Sequence, residues 1–298
     1  MKKIHIGSRN SPLAMVQTRL ACGLMQKQAP ACEYHIQGIE TKGDQVLDVA
    51  LSDIGGKGLF AKELDQALLG RVIDCAVHSL KDLETHLPDN IVIAAVLPRG
   101  MPHDVMLGTS QAIADLPKGA TIGSCSPRRL AQIRAVRKDL QARVMRGNVQ
   151  TRLDKLARGE CDVTLLALCG LQRLGVELAE IPHHILSLDE MIPACGQGAI
   201  AVTCRADDER MIAHLRNIDD PTTRLCITAE RATLAGIGGD CHTPIGVHAQ
   251  KEANTLRLQG VYVLGEEMEH AEVTASDIDS DVAVDLGTEL AKRLRKEA

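Results

Sequence analysis

Residues 3–7 alternate between polar and apolar, the period of a half-buried strand, and Ser11-Pro12 then opens a helical pattern through Leu13, Val16 and Leu20. Ser11 reads as an N-cap and Pro12 as the first helical residue. Residues 33–39 form the next strand, 59–69 a helix, 74–78 a strand, and 91–97 a buried apolar run. This alternation predicts an α/β layer architecture with a parallel or mixed sheet. After Pro98-Arg99-Gly100-Met101-Pro102 it resumes, with strands at 121–124, 144–146 and 162–167 and helices from Pro127 and from Asn148. A second Pro/Gly cluster at 192–198 precedes a strand at 199–204. The two clusters read as simple loops or as the two strands of a hinge between paired lobes. From Pro221 the character changes. A helix at 222–235 leads to a Gly-rich turn, alternating segments at 245–250, 256–264 and 268–274, and a helix carrying Val282, Leu286, Leu290 and Leu294. That pattern predicts a small α+β unit, a three-stranded antiparallel sheet with helices on one face.

Composition narrows the function classes. Of 298 residues 45% are hydrophobic and 24% charged, enough for a sizeable core, but only Phe60, Tyr34 and Tyr262 are aromatic. So few aromatic rings argue against stacking platforms for single-stranded nucleic acid, and a net charge of −5 argues against coating a duplex. Any anion site is therefore a local cation cluster. No apolar run is long enough to span a membrane, and the start of the chain, with Arg9 close behind its two lysines, is not a signal peptide. Ten cysteines, with Cys75, Cys161, Cys169 and Cys226 inside apolar runs, read as reduced thiols of a cytoplasmic protein. Neither C-x-x-C nor H-E-x-x-H occurs, so no metal is expected.

Four segments carry candidate chemistry. Ser126-Pro127-Arg128-Arg129 places two guanidiniums in the first turn of a helix, where open N–H groups and the helix dipole favour an anion. Arg146-Gly147-Asn148, with Arg152 a turn later, repeats the device, and Arg9 lies in another strand-to-helix turn. A single helix-start arginine is more often solvated or paired with an acid. Three such sockets at strand ends suggest a ligand with several carboxylates or phosphates. Gly55-Gly56-Lys57-Gly58-Leu59-Phe60 lacks Walker A spacing and reads as a helix-capping loop or a lid with one cation. Asp82, in His78-Ser79-Leu80-Lys81-Asp82, is either a turn former or a carboxylate suited to stabilising positive charge. Cys241, in a polar Gly-rich turn beside His242, is a bystander or a nucleophile.

In this order the motifs resemble one family, porphobilinogen deaminase (hydroxymethylbilane synthase). The matching segments run from Ser8-Arg9-Asn10-Ser11-Pro12 through the 55–60 loop, Ala76-Val77-His78-Ser79-Leu80-Lys81-Asp82, Arg128-Arg129, Arg146-Gly147-Asn148-Val149, Arg173-Leu174-Gly175, Gly196-Gln197-Gly198-Ala199 and Thr228-Ala229-Glu230-Arg231-Ala232 to the Cys241 turn. The resemblance implies stepwise condensation of four porphobilinogen molecules, with loss of ammonia, on a dipyrromethane cofactor held covalently by Cys241. It makes Asp82 the catalytic acid that stabilises positive charge on the pyrroles. Lys81, Ser79, Ser126, Arg128, Arg129 and Arg146 would then hold the cofactor. Arg9, Ser11, Lys57, Phe60, Arg152 and Arg173 would bind substrate. The implied fold is two periplasmic-binding-protein-like lobes, 1–98 with 198–218 and 99–197, plus a C-terminal domain at 219–298. The implied state is a monomer with no nucleic-acid or membrane partner.

The chain departs from the family pattern at Leu83-Glu84, where a hydrophobic residue and proline are usual, and at Asp53, His103, Cys125, Pro127 and Asp240. None of these removes a proposed catalytic group. Two other readings stand beside the enzyme: a binding module for carboxylated small molecules, and an inactive relative, for which Leu83-Glu84 is the hint.

Overall fold

The computed structural model describes residues 3–41, 43, 60–240, 243–265 and 267–296. In chain order the elements are β1 (Lys3–Arg9), α1 (Pro12–Gln28), β2 (Glu33–Ile39), α2 (Lys62–Leu69), β3 (Cys75–Ser79), β4 (Ile91–Val96) and β5 (Asp104–Leu107). They continue with β6 (Thr121–Gly123), α3 (Pro127–Val136), β7 (Gln141–Arg143), α4 (Val149–Ala157), β8 (Val163–Ala167), α5 (Leu168–Leu174) and β9 (His183–Ile185). The last are β10 (Ile200–Arg205), α6 (Glu209–Arg216), α7 (Pro221–Ile237), β11 (Ile245–Glu252), β12 (Thr255–Leu264), β13 (Glu267–Ser276) and α8 (Ser280–Arg295).

The described residues up to 100, with 198–224, form one compact unit, and those of 101–197 and from 225 onward form another. In the first, a five-stranded sheet runs β2-β1-β3-β10-β4. β1 is parallel to β2 and β3, while β10 runs antiparallel to β3 and β4, so the sheet is mixed. Ser11 caps α1 as its sequence requires, its hydroxyl accepting from Ala14 N at 3.3 Å. The buried stripe of α1 includes Ala14, Ala21 and Met25, and packs on Ile4, Ile6, Cys75 and Val77 of the sheet.

The second unit holds two sheets. One runs β7-β6-β8-β5-β9, with β6, β7 and β8 parallel and β5 antiparallel to both its neighbours. The other is the antiparallel β11-β12-β13, covered by α7 and α8 through Ala229, Leu234, Leu286, Leu290 and Leu294. Each fully buried leucine there contributes about 2 kcal/mol by leaving water. The fold is therefore α/β, two mixed sheets plus an antiparallel α+β portion, as the sequence pattern led us to expect.

Some expectations need correction. A strand at 144–146 is not formed: β7 lies three residues earlier and ends at Arg143, because its partner β6 ends at Gly123 and the ladder has nothing further to pair with. Val144 is left exposed. The helix expected from residue 59 begins at Lys62, after Phe60 and Ala61. Both Pro/Gly clusters coincide with the points where the chain passes from one unit to the other, which simple loops within a domain would not do. At the second, Gly198 has φ +91°, and a Cβ there would sit 2.4 Å from the Gly100 carbonyl oxygen.

Candidate functional site

In the first unit, Arg9 ends β1 and Ser79 ends β3, with Lys81 and Asp82 just beyond it. The two strands are parallel neighbours, so these residues emerge at the same sheet edge, where open α/β sheets place ligands. Arg9, Ser11, Phe60, Ser79 and Asp82 line one cleft, together with Gln17 and His78. Arg9 Nη1 stands 3.8 Å from Asp82 Oδ2, longer than the ~2.8 Å of a charge-assisted hydrogen bond, and its guanidinium lies 4.2 Å above the Phe60 ring. The cation is thus held over an aromatic face and beside a carboxylate without being locked to it.

Gln17, buried on α1, donates from Nε2 to Ser79 Oγ (2.9 Å), or accepts from that hydroxyl through Oε1 (3.0 Å). His78 is buried at the base of the cleft with Nε2 3.0 Å from Thr203 Oγ1, and burial, with the nearby Arg9 charge, pushes its pKa down to about 4. A neutral imidazole at neutral pH results. Below the turn, burial raises the Asp65 carboxyl to about 6, with a further contribution from the charge of Glu84. That is where the unusual Glu84 makes its charge felt.

The second unit carries the other arginines. Ser126 caps α3, accepting from Arg129 N at 3.4 Å, and its own O–H remains able to donate. Arg128 and Arg129 turn inward onto Asp104, a completely buried carboxylate at the start of β5. Burial alone would raise the Asp104 pKa, but the two guanidiniums outweigh it and hold the carboxyl far below the usual range. Cys125 donates its thiol proton to Met145 O at 3.1 Å, tying the start of α3 to the segment that carries Arg146. Arg146 is buried, Arg152 donates from Nε to Gly147 O (2.9 Å), and Arg173 is half-buried on α5, its pKa lowered by burial.

Lys57 and Cys241 lie outside the described residues. Of the described residues on either side, Asp240 N donates to Thr243 Oγ1 (2.9 Å) and Thr243 N donates to Asp240 O (3.1 Å). Sequence reasoning missed Gln17, His78 and Asp104 as site residues. Gln17 is buried on α1 beside Ala14, Thr18 and Ala21, a face turned away from that of Leu13, Val16 and Leu20, of which Leu20 is exposed, whereas Asp104 was signalled by being a lone acid opening an apolar run. Among the described residues, no helix is long and apolar enough to cross a membrane, and no group of three or more His, Cys, Asp or Glu is arranged to hold a metal ion.

Comparison with known proteins agrees with this arrangement of motifs. The family model "Porphobilinogen deaminase, dipyromethane cofactor binding domain" matches residues 4–213, and "Porphobilinogen deaminase, C-terminal domain" matches 224–296. Porphobilinogen deaminase of Brevibacillus brevis is 44% identical over 263 residues, 88% of this chain and 84% of that protein. The Nitrobacter winogradskyi protein of the same name is 43% identical over 296 residues, 98% and 93% of the two chains. Among solved structures, an arginine-transport periplasmic binding protein from Legionella pneumophila aligns over 73% of this chain and 92% of its own, at 14% identity and a TM-score of 0.41. The chain belongs to the porphobilinogen deaminase family.

Proposed function

We propose that the chain joins four porphobilinogen molecules head to tail, releasing ammonia at each addition, to give hydroxymethylbilane. Each porphobilinogen carries an acetate and a propionate, so substrate and product are multiply anionic. The donor set suits that chemistry: arginines at 9, 128, 129, 146, 152 and 173 and lysines at 57 and 81, with hydroxyls of Ser11, Ser79 and Ser126. The same set fits a dipyrromethane cofactor, whose rings carry the same side chains. Ser79, Lys81, Ser126, Arg128, Arg129 and Arg146 would hold it, with Cys241 as its covalent anchor. When bound, it supplies the ring on which the chain is extended.

Asp82 is the residue to which we assign the chemistry. As the aminomethyl C–N bond breaks and ammonia leaves, positive charge develops on the substrate ring, and a carboxylate at the cleft wall stabilises it. The observation that carries the reading is the Arg9–Asp82 separation of 3.8 Å in a cleft that also holds Phe60 and Ser79. Arg9 is placed to take a substrate carboxylate while Asp82 keeps a face for the ring. His78 stays neutral below them and adds no charge that would compete.

A cytoplasmic monomer is part of this reading; the nine described cysteines are free thiols, which fits a reducing compartment. Intact mass tests the anchor. Purified protein should exceed its sequence mass by two linked pyrrole units, and Cys241→Ser should lose that excess. A native mass equal to the sequence mass would leave only a binding module.

A further inference from the structure

We infer that Asp104 is a positioning residue for the reaction: it aims Arg128 and Arg129 and holds the net charge of that socket at one. This rests on the reading of those arginines as carboxylate-holding groups. Asp104 Oδ1 accepts from Arg129 Nε (3.1 Å) and Nη2 (2.7 Å) and from Gln197 Nε2 (3.0 Å), while Oδ2 stands 2.7 Å from Arg128 Nη1. Every one of these side chains is buried. Two adjacent guanidiniums would otherwise repel one another and fan apart; one shared carboxylate fixes both orientations at once.

The remaining contacts make the arrangement rigid. Arg129 Nη1 donates to Leu165 O (2.9 Å) on β8, and Arg128 Nη1 to Ile192 O (2.9 Å). Gln132, one turn along α3, grips the same residue from both sides, donating to Ile192 O and accepting from Ile192 N. Gln197 Nε2 also donates to Pro102 O at 2.6 Å. Asp104 is thereby anchored to the backbone on both sides of the segment that enters β5. Two cations and one anion sum to a single positive charge, enough to hold a carboxylate once both guanidiniums are aimed at it.

The test is a double-mutant cycle read by mass rather than by turnover. Full-length native protein, D104N, R129Q and D104N/R129Q are made in cells that produce no porphobilinogen. They are then given porphobilinogen, and the rate at which intact mass rises by two pyrrole units is followed against concentration. R129Q should raise the half-saturating concentration about tenfold, as expected for loss of a charge-assisted contact. D104N should raise it similarly, and the double variant should match R129Q within about twofold, because Asp104 acts through the guanidinium. A merely structural role lowers the competent fraction, and hence the maximal rate, while leaving half-saturation unmoved. Multiplication of the two single effects in the double variant, or that pattern of unmoved half-saturation, overturns the inference. Should D104N fail to fold, the comparison of R129Q with the double variant, which removes both partners, still decides it. If R129Q loads as native protein does, the reading of Arg129 as a carboxylate-holding group fails instead.

Discussion

His78→Gln should flatten the acid side of the stability profile. The imidazole, 6% exposed on β3, is held neutral in the folded chain with its pKa lowered from 6.5 to about 4. In the unfolded chain it titrates normally, so below pH 6.5 the unfolded state binds the extra proton. The stability due to this group is present above pH 6.5 and is lost as pH falls toward 4. The full shift corresponds to about 3 kcal/mol, of which about 2 kcal/mol is lost between pH 7 and pH 5. Glutamine places an amide near the Nε2 position, so the contact to Thr203 Oγ1 is kept while the titration is removed. Urea unfolding at steps from pH 7.5 to 4.5, native against variant, reads the difference directly. The variant should lose about 2 kcal/mol less than native protein between pH 7 and pH 5. Equal losses in the two proteins would refute the buried neutral imidazole at the base of the cleft.

Asp65→Asn should act with the opposite sign. Its carboxyl is raised from 3.8 to about 6, so its cost to the fold grows as pH rises from 3.8 and is complete above about 6. The variant should gain about 1–3 kcal/mol at pH 7.5 and almost nothing at about pH 3, and equal gains at both would contradict the assignment. Gly198→Ala should cost at least about 3 kcal/mol in urea unfolding, from left-handed backbone strain and the approach to Gly100 O. A loss below about 1 kcal/mol would mean the backbone there relaxes freely.

Much of the fold was legible because local chemistry and layer architecture agree. Ser11-Pro12, Ser126-Pro127 and Asn148 each announce a capped helix, and each cap is made, Asn148 accepting from Thr151 N at 2.9 Å. The 33–39 strand and the C-terminal antiparallel sheet follow from period-two alternation. β5 and β9, with four and three residues, are too short for a period to show, and their strand character comes from neighbours in the sheet. The site was legible as types of residue rather than as partnerships. Arg128 and Arg129 could be read as anion sockets or as acid-paired; Arg129 is bound to Asp104, 25 positions away, and no local pattern encodes that choice of partner. Glu84 lies two residues from Asp82 in the sequence, yet its charge raises the pKa of Asp65 on α2, a proximity that no local pattern encodes.

The central claim is that Asp82 stabilises the charge that develops as porphobilinogen loses ammonia. Asp82→Asn keeps the size and hydrogen-bonding shape of the side chain while removing its charge. Turnover of porphobilinogen and intact mass, measured on the same preparation, test the claim most directly. The variant should still carry the two-pyrrole mass on Cys241, while kcat falls by about a hundredfold or more, the scale for loss of one preorganised charge contact. Native-like kcat in a variant that carries that mass would contradict the account.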